Sequence, residues 1–295
     1  MHARVAAITT AALLGGTVLM FPGRHAELGS PGTVPVIVSH RGASGYAPEN
    51  TLAAVDKAAE LGFDWVETDV QRTRDGELVV LHDDTLERTT NVERVHPGRA
   101  PWRVADFTAA EIALLDAGSW FGPSYAGARV PTLRQFVDRV SRNHQKLLLE
   151  IKNPELHPGI ERQTLKLLSN DGWLDPAHVD GGLIIQSFSA DSVRTVHDLH
   201  PGVKTALLGT PSFGELSECA RFADQINPAY TSLSVGYIAA VRALRGPHGR
   251  PLEIFTWTVD DADDARRAAG YGVDGIITNT PDVIRRALPR LLPRG

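Results

Sequence analysis

The chain has 295 residues, 42% of them hydrophobic and 22% charged, with a formal net charge of -5 and a single cysteine. That length is enough to bury a large core. The mild acidity gives no electrostatic basis for nucleic acid as a partner, and one cysteine excludes an internal disulfide and a cysteine-built zinc cluster. Cys219, set among Leu216, Ala220 and Phe222, reads as a buried spectator.

At the N-terminus Arg4 precedes an apolar run from Val5 to Phe21 that ends at Pro22-Gly23. This is the pattern of a secretory signal peptide or, if uncut, of an N-terminal anchor. Residues 1–33 are assigned to that segment and a Gly/Pro linker, and 34–292 to the folded unit. The expected location is secreted or in the cell envelope, with membrane contact only through the N-terminal segment if it is uncleaved.

From residue 36 onward apolar strands alternate with amphipathic helical stretches. Strands are predicted at Val36–Ser39, Trp65–Val70, Lys146–Ile151, Leu183–Ser187, Lys204–Leu208, Asp224–Asn227, Ile254–Val259 and Gly275–Thr278. Helices are predicted at 51–61, 132–142, 159–170, 190–199, 214–222, 234–245, 261–269 and 281–292. Eight such units predict an α/β fold, a (β/α)8 TIM barrel, whose chemistry sits where strands end and helices begin. The first strand runs straight into His40 and Arg41, a turn marked by Gly42, Gly45 and Pro48 follows, and Asn50 or Thr51 can cap the first helix.

Leu78–Leu81 does not fit this count. It follows the second strand too closely for a parallel crossover, so it must return antiparallel as a hairpin on the barrel rim. A two-residue turn centred on Asp75-Gly76 places His82 opposite Asp69. Residues 84–130, rich in turn formers, predict a small insertion after the second strand, with one short helix near Thr108–Leu115, covering part of the mouth. The connection before the seventh-unit strand, Arg245-Gly246-Pro247-His248-Gly249-Arg250-Pro251, is longer than needed and bears on pocket shape there.

The strand ends and the hairpin collect His40, Arg41, Glu67, Asp69, His82, Glu150 and Lys152 on one rim. Alternation puts Glu67 with Asp69, and Glu150 with Lys152, on one face of each strand. Three convergent carboxylates repel unless they take up protons or share a cation, and an all-oxygen set favours Mg2+ or Ca2+ over zinc. Arg41 and Lys152 beside such a cation point to an anionic substrate, most economically a phosphate ester. His40 and His82 supply a base and an acid, in either assignment. Glu49 is open between a fourth metal ligand, a partner of Arg41 and a helix N-terminal acid. Gln186 is a candidate to bind substrate and Trp257 to wall the leaving-group pocket. His96, His144, His157, His178, His197, His200 and His248 read as surface residues.

The ordered motifs resemble those of glycerophosphodiester phosphodiesterases. They are His40-Arg41-Gly42 with Ala47-Pro48-Glu49-Asn50-Thr51, Glu67-Thr68-Asp69-Val70, Leu81-His82-Asp83 with Arg88-Thr89-Thr90, Asp116-Ala117-Gly118-Ser119-Trp120-Phe121, Glu150-Ile151-Lys152, Gln186-Ser187-Phe188, Thr256-Trp257-Thr258-Val259 and Asp274-Gly275-Ile276-Ile277-Thr278-Asn279. The resemblance implies a barrel with a small insertion, one divalent cation on Glu67, Asp69 and Glu150, acid-base work by His40 and His82, and a phosphoryl group held by Arg41 and Lys152. It implies hydrolysis of a small-molecule glycerophosphodiester to glycerol 3-phosphate and an alcohol, with water or a neighbouring glycerol hydroxyl as the attacking group. Rival readings are a lipid phosphodiesterase of the venom phospholipase D type, and an envelope protein that binds or cleaves glycerophosphate polymers.

Overall fold

The computed structural model describes residues 34–289. The signal or anchor segment assigned to 1–33, and the end of the helical stretch assigned to 281–292, lie outside the described residues. Among the described residues there are nine strands: β1 (Val36–Ser39), β2 (Trp65–Arg72), β3 (Leu78–Val80), β4 (Lys146–Ile151), β5 (Leu183–Ser187), β6 (Lys204–Leu208), β7 (Gln225–Asn227), β8 (Phe255–Thr256) and β9 (Gly275–Thr278). Eight of them are parallel neighbours in the order β7-β6-β5-β4-β2-β1-β9-β8. The remaining seam, between β7 and β8, is spanned by isolated bridges: Ile226 N donates to Glu253 O at 3.0 Å and Tyr230 N to Trp257 O at 2.9 Å. The result is the expected (β/α)8 barrel, nearly closed. The strand foreseen at Ile254–Val259 shortens to two residues because this seam is held by bridges and side chains rather than by a ladder.

Alternation along the strands sorts the side chains. Val38, Leu148, Ile184, Ala206, Phe255 and Ile277 pack as one cluster inside the barrel, with Trp65 and Trp257 against it. Residues of the opposite phase, such as Leu147, Leu149 and Ile185, join the layer between strands and helices. Helix Leu52–Glu60 shows how a helix is attached: Thr51 caps it by accepting from Ala54 N, and Ala54, Val55 and Ala58 form its buried face. Helix Leu133–Arg142 starts in a capping box between Thr132 and Gln135.

β3 pairs antiparallel with β2 as foreseen, but the register differs by one residue. Val70 faces Val80, Gln71 faces Val79 and Arg72 faces Leu78. Leu81, not His82, therefore lies opposite Asp69, whose carbonyl accepts from Leu81 N at 3.1 Å. The cause is the turn. Thr73 N donates to Glu77 O, which leaves Arg74, Asp75 and Gly76 as a three-residue loop with Gly76 at φ +89°, a conformation glycine adopts without strain.

The insertion carries more structure than one short helix. It has helices at Val92–Val95 and Ala109–Ile112, 3-10 turns at Val104–Asp106 and Pro123–Tyr125, and a core of its own around Leu86, Val92, Phe107, Ile112 and Leu115. The long connection at 245–251 folds back on itself and meets Asp224, just before β7, through His248 at 2.8 Å. It therefore sits where strands begin, at the end of the barrel away from the mouth, and does not shape the pocket. Cys219 is buried, as expected. Among the described residues no helix is long and apolar enough to cross a membrane.

Candidate active site

Parallel registry brings the carboxylates together. Glu67 and Asp69 occupy one face of β2, and Asp69 is the register partner of Glu150 on β4, which in turn neighbours Gln186 on β5. Glu67, Asp69 and Glu150 are 1%, 1% and 6% exposed, and one oxygen from each lies within 4.8 Å of the others. Burial, then Asp69, then Glu150 raise the Glu67 carboxyl well above its ordinary range. Burial and Asp69 push Glu150 up to about 7. The set resists carrying all its negative charge unaided. Asp69 Oδ1 is buried without a hydrogen-bond partner, and such an atom among oxygen donors is what a hard divalent cation fits.

Two cations face the cluster. Arg41 has φ +54° and directs its backbone N to Glu67 Oε2 at 2.9 Å, while its Nε lies 3.3 Å from Asp69 Oδ2. Gly42 beside it has φ +80°, and a Cβ there would lie 2.6 Å from Ala54, so only glycine lets this turn rest on the first helix. Lys152 Nζ is 2.7 Å from Glu150 Oε1 and 3.9 Å from Asp69 Oδ1. Glu49 is the partner of Arg41, at 2.9 Å, and of Arg88, rather than a member of the acidic cluster. Asn50, unforeseen as a site residue, donates to Asp69 Oδ2 at 2.8 Å and accepts from Thr68 Oγ1, fixing the carboxylate's orientation.

The two imidazoles have different partners. His40 Nδ1 lies 2.7 Å from Asn279 Oδ1, and its Nε2 is 3.9 Å from Glu67 Oε2. Asn279 Nδ2 donates to Asp260 Oδ2 at 2.6 Å, so its oxygen is the end turned to His40, and His40 Nδ1 carries the hydrogen. Burial, with Arg41 second, pushes His40 down to about 4. His82 Nδ1 instead meets the Asp83 carboxylate at 2.6 Å. Asp83 is held well below the usual carboxylate range, His82 being the largest cause. His82 reaches the cleft although it is not opposite Asp69. The chain leaves β3 at Leu81, and the buried Gln71 side chain donates to the carbonyls of Leu81, His82 and Asp83, folding that turn over the strand end.

His40, Arg41, Glu67, His82, Glu150 and Lys152 line one cleft together with Gln186 and Trp257. The structure thus brings the sequence-predicted residues to one place, with Asp69 buried in the carboxylate cluster behind. Gln186 Oε1 accepts from Asn227 Nδ2 at 3.0 Å, which leaves its amide NH2 as the end available to a ligand. Trp257 commits its indole N–H to Asn227 O at 2.7 Å and stands edge-on to Phe188 at 5.5 Å, forming a wall. Asn227 thus ties both to the β7–β8 seam. No residue of 84–130 lines this cleft itself, and the insertion meets its rim through Arg88, which donates to Glu49 at 2.8 Å. Of the seven histidines assigned to the surface, His157 is buried, at 3% exposure, because it closes the 3-10 turn Pro154–Leu156 after β4. Asn279 was detectable as the inward-phase residue just after β9, and Asn50 stood out only as a helix cap within its motif; Gln71 and Asp260 carry no local signal.

The sequence pattern of the glycerophosphoryl diester phosphodiesterase family matches residues 40–283. The chain is 36% identical over 263 residues to a glycerophosphodiester phosphodiesterase of Bacillus subtilis, covering 84% of this chain and 85% of that protein. It is also 36% identical over 252 residues to one of Caldanaerobacter subterraneus, covering 84% and 96%. Its fold is similar to that of an Oleispira antarctica phosphodiesterase solved with its product sn-glycerol-3-phosphate, with a TM-score of 0.72, 26% identity, and coverage of 86% and 96%.

Proposed function

This chain belongs to the glycerophosphoryl diester phosphodiesterase family, and on that premise we propose that it hydrolyses small glycerophosphodiesters to glycerol 3-phosphate and an alcohol, using one divalent cation and two histidines. The observation that carries this reading is the convergence of three buried carboxylates with two basic side chains and two imidazoles on one cleft. Glu67, Asp69 and Glu150 would hold the cation, Ca2+ or Mg2+, which when bound neutralises phosphoryl charge. Arg41 and Lys152 grip the phosphoryl oxygens, and Gln186 and Trp257 bound the space for the rest of the substrate.

The partners of the imidazoles divide the proton transfers. His40, neutral and with its Nδ1 hydrogen given to Asn279, presents the Nε2 lone pair and takes the proton from the attacking oxygen as the new P–O bond forms. His82, backed by the Asp83 carboxylate as a partner for imidazolium charge, gives its proton to the departing alcohol oxygen as the old P–O bond breaks. The same pair serves attack by water or by the substrate's neighbouring glycerol hydroxyl. The apolar N-terminal run supports a secreted or envelope location.

The test is incubation of the protein with glycerophosphocholine, with and without chelator, following release of glycerol 3-phosphate. Cleavage should require a divalent ion and fall by most of its rate in His40→Ala and in His82→Ala with the fold intact. Near-parental turnover in either variant overturns the mechanism. Exclusive cleavage of intact lysophospholipid would transfer the substrate assignment to the lipid class.

A further inference from the structure

Arg88 lies outside the cleft lining and has no role in the chemistry just described, yet its guanidinium is fully engaged. Nε meets Asp83 Oδ2 at 2.5 Å, and Nη2 meets Asp83 Oδ1 at 2.9 Å. Nη1 and Nη2 meet Glu49 Oε2 and Oε1, both at 2.8 Å. Each carboxylate passes the constraint inward: Asp83 to His82 at 2.6 Å, and Glu49 to Arg41 at 2.9 Å. The backbone under Arg88 is itself fixed. Leu86, Thr89 and Thr90 are buried, Thr90 Oγ1 donates to Leu86 O at 2.5 Å, and Val92 N donates to Thr90 Oγ1 at 3.2 Å. An arginine 43% exposed is therefore mounted on a rigid turn between two acidic groups it grips bidentately.

We infer that Arg88 is a positioning residue: one planar guanidinium, clamped on Asp83 and Glu49, holds His82 and Arg41 in register with each other across the cleft. Isolated exposed ion pairs contribute little to stability. Geometry at reacting groups is a different matter, since displacement of the order of an ångström can cost about 10²-fold in rate. One guanidinium shared by both carboxylates makes the two catalytic arms one rigid unit, although they come from different loops. Lysine cannot substitute, because a point charge on a flexible stem cannot make paired contacts to two carboxylates.

The inference rests on the proposed roles of His82 and Arg41, and the experiment separates the two. With glycerophosphocholine as substrate, Arg88→Ala should lose roughly 10²-fold in kcat with an almost unchanged melting temperature. Guanidinium ion added to Arg88→Ala should restore a large part of the rate, and Arg88→Lys should stay close to Arg88→Ala. Combining Arg88→Ala with Asp83→Asn should cost little more than the worse single change, as expected for groups acting as a unit. Arg99→Ala, which breaks a different ion pair of the same insertion, is the control and should keep parental kcat. If Arg88→Ala does not fold, Arg88→Gln carries the same measurements. Parental kcat in Arg88→Ala, or a loss that guanidinium does not relieve and that follows a lowered melting temperature, overturns the inference. If His82→Ala is itself fully active, the proposed mechanism fails first.

Discussion

The acidic cluster makes a quantitative prediction through Glu150→Gln, which removes one charge while keeping the shape of the side chain. In the parent, Glu150 is pushed from its ordinary 4.5 up to about 7 by burial and by Asp69. Between those values the folded protein binds a proton that the unfolded chain has already released. The Glu150 contribution to stability in chelator therefore falls as pH rises through this window, by about 3 kcal/mol. Coulomb's law gives the same order: two charges within 4.8 Å of one another, at an effective dielectric near 20, repel by about 3 kcal/mol or more. The low value of His40 acts in the opposite direction between about 4 and 6.5, but it is present in both proteins and cancels in their comparison. In chelator the two proteins should melt together near pH 5, and at pH 8 Glu150→Gln should melt higher by roughly 5–10 °C. The variant would be the more stable protein and the less active one. Saturating Ca2+ should reverse the order at pH 8, since binding at a hundredfold over Kd stabilises by about 3 kcal/mol and the variant lacks one ligand. Thermal unfolding at both pH values, with and without the ion, is the assay. Parallel melting of parent and variant across pH in chelator would refute the reasoning, because the carboxylates would then not be repelling.

Two further outcomes follow from individual contacts. Asn279→Ala removes the acceptor that fixes the Nδ1 hydrogen of His40; kcat should fall by roughly 10²-fold, while the affinity of the carboxylate cluster for Ca2+, read by calorimetry, stays near parental. Gly275→Ala places a Cβ about 2.5 Å from the Phe255 ring inside the barrel. The overpacked interior should lose about 1–3 kcal/mol in urea unfolding, and an unchanged midpoint would show that β8 gives way at its weakly laddered seam.

What the sequence determined by itself is the barrel and most of its mouth. Strands that are apolar in both phases must be covered on both faces, and eight of them alternating with helices close on themselves. Since side chains alternate and parallel strands all end at one face, His40, Glu67, Asp69, Glu150 and Lys152 had to converge. These are consequences of short-range periodicity, which any stretch of chain carries within itself. Tertiary structure decided what periodicity does not encode. The hairpin slipped by one residue because a three-residue loop replaced a two-residue one, and His82 was brought to the cleft by Gln71 gripping the turn rather than by its place opposite Asp69. The partner of His40 lies 239 positions away in Asn279, and Glu49 meets Arg88 across 39 positions. Closing a barrel brings its first and last strands together, and folding an insertion back sets loops side by side. Side chains that meet only through such closure leave no mark of their partners on the local pattern, which is why the residues proposed for the chemistry were legible and the contacts that hold them were not.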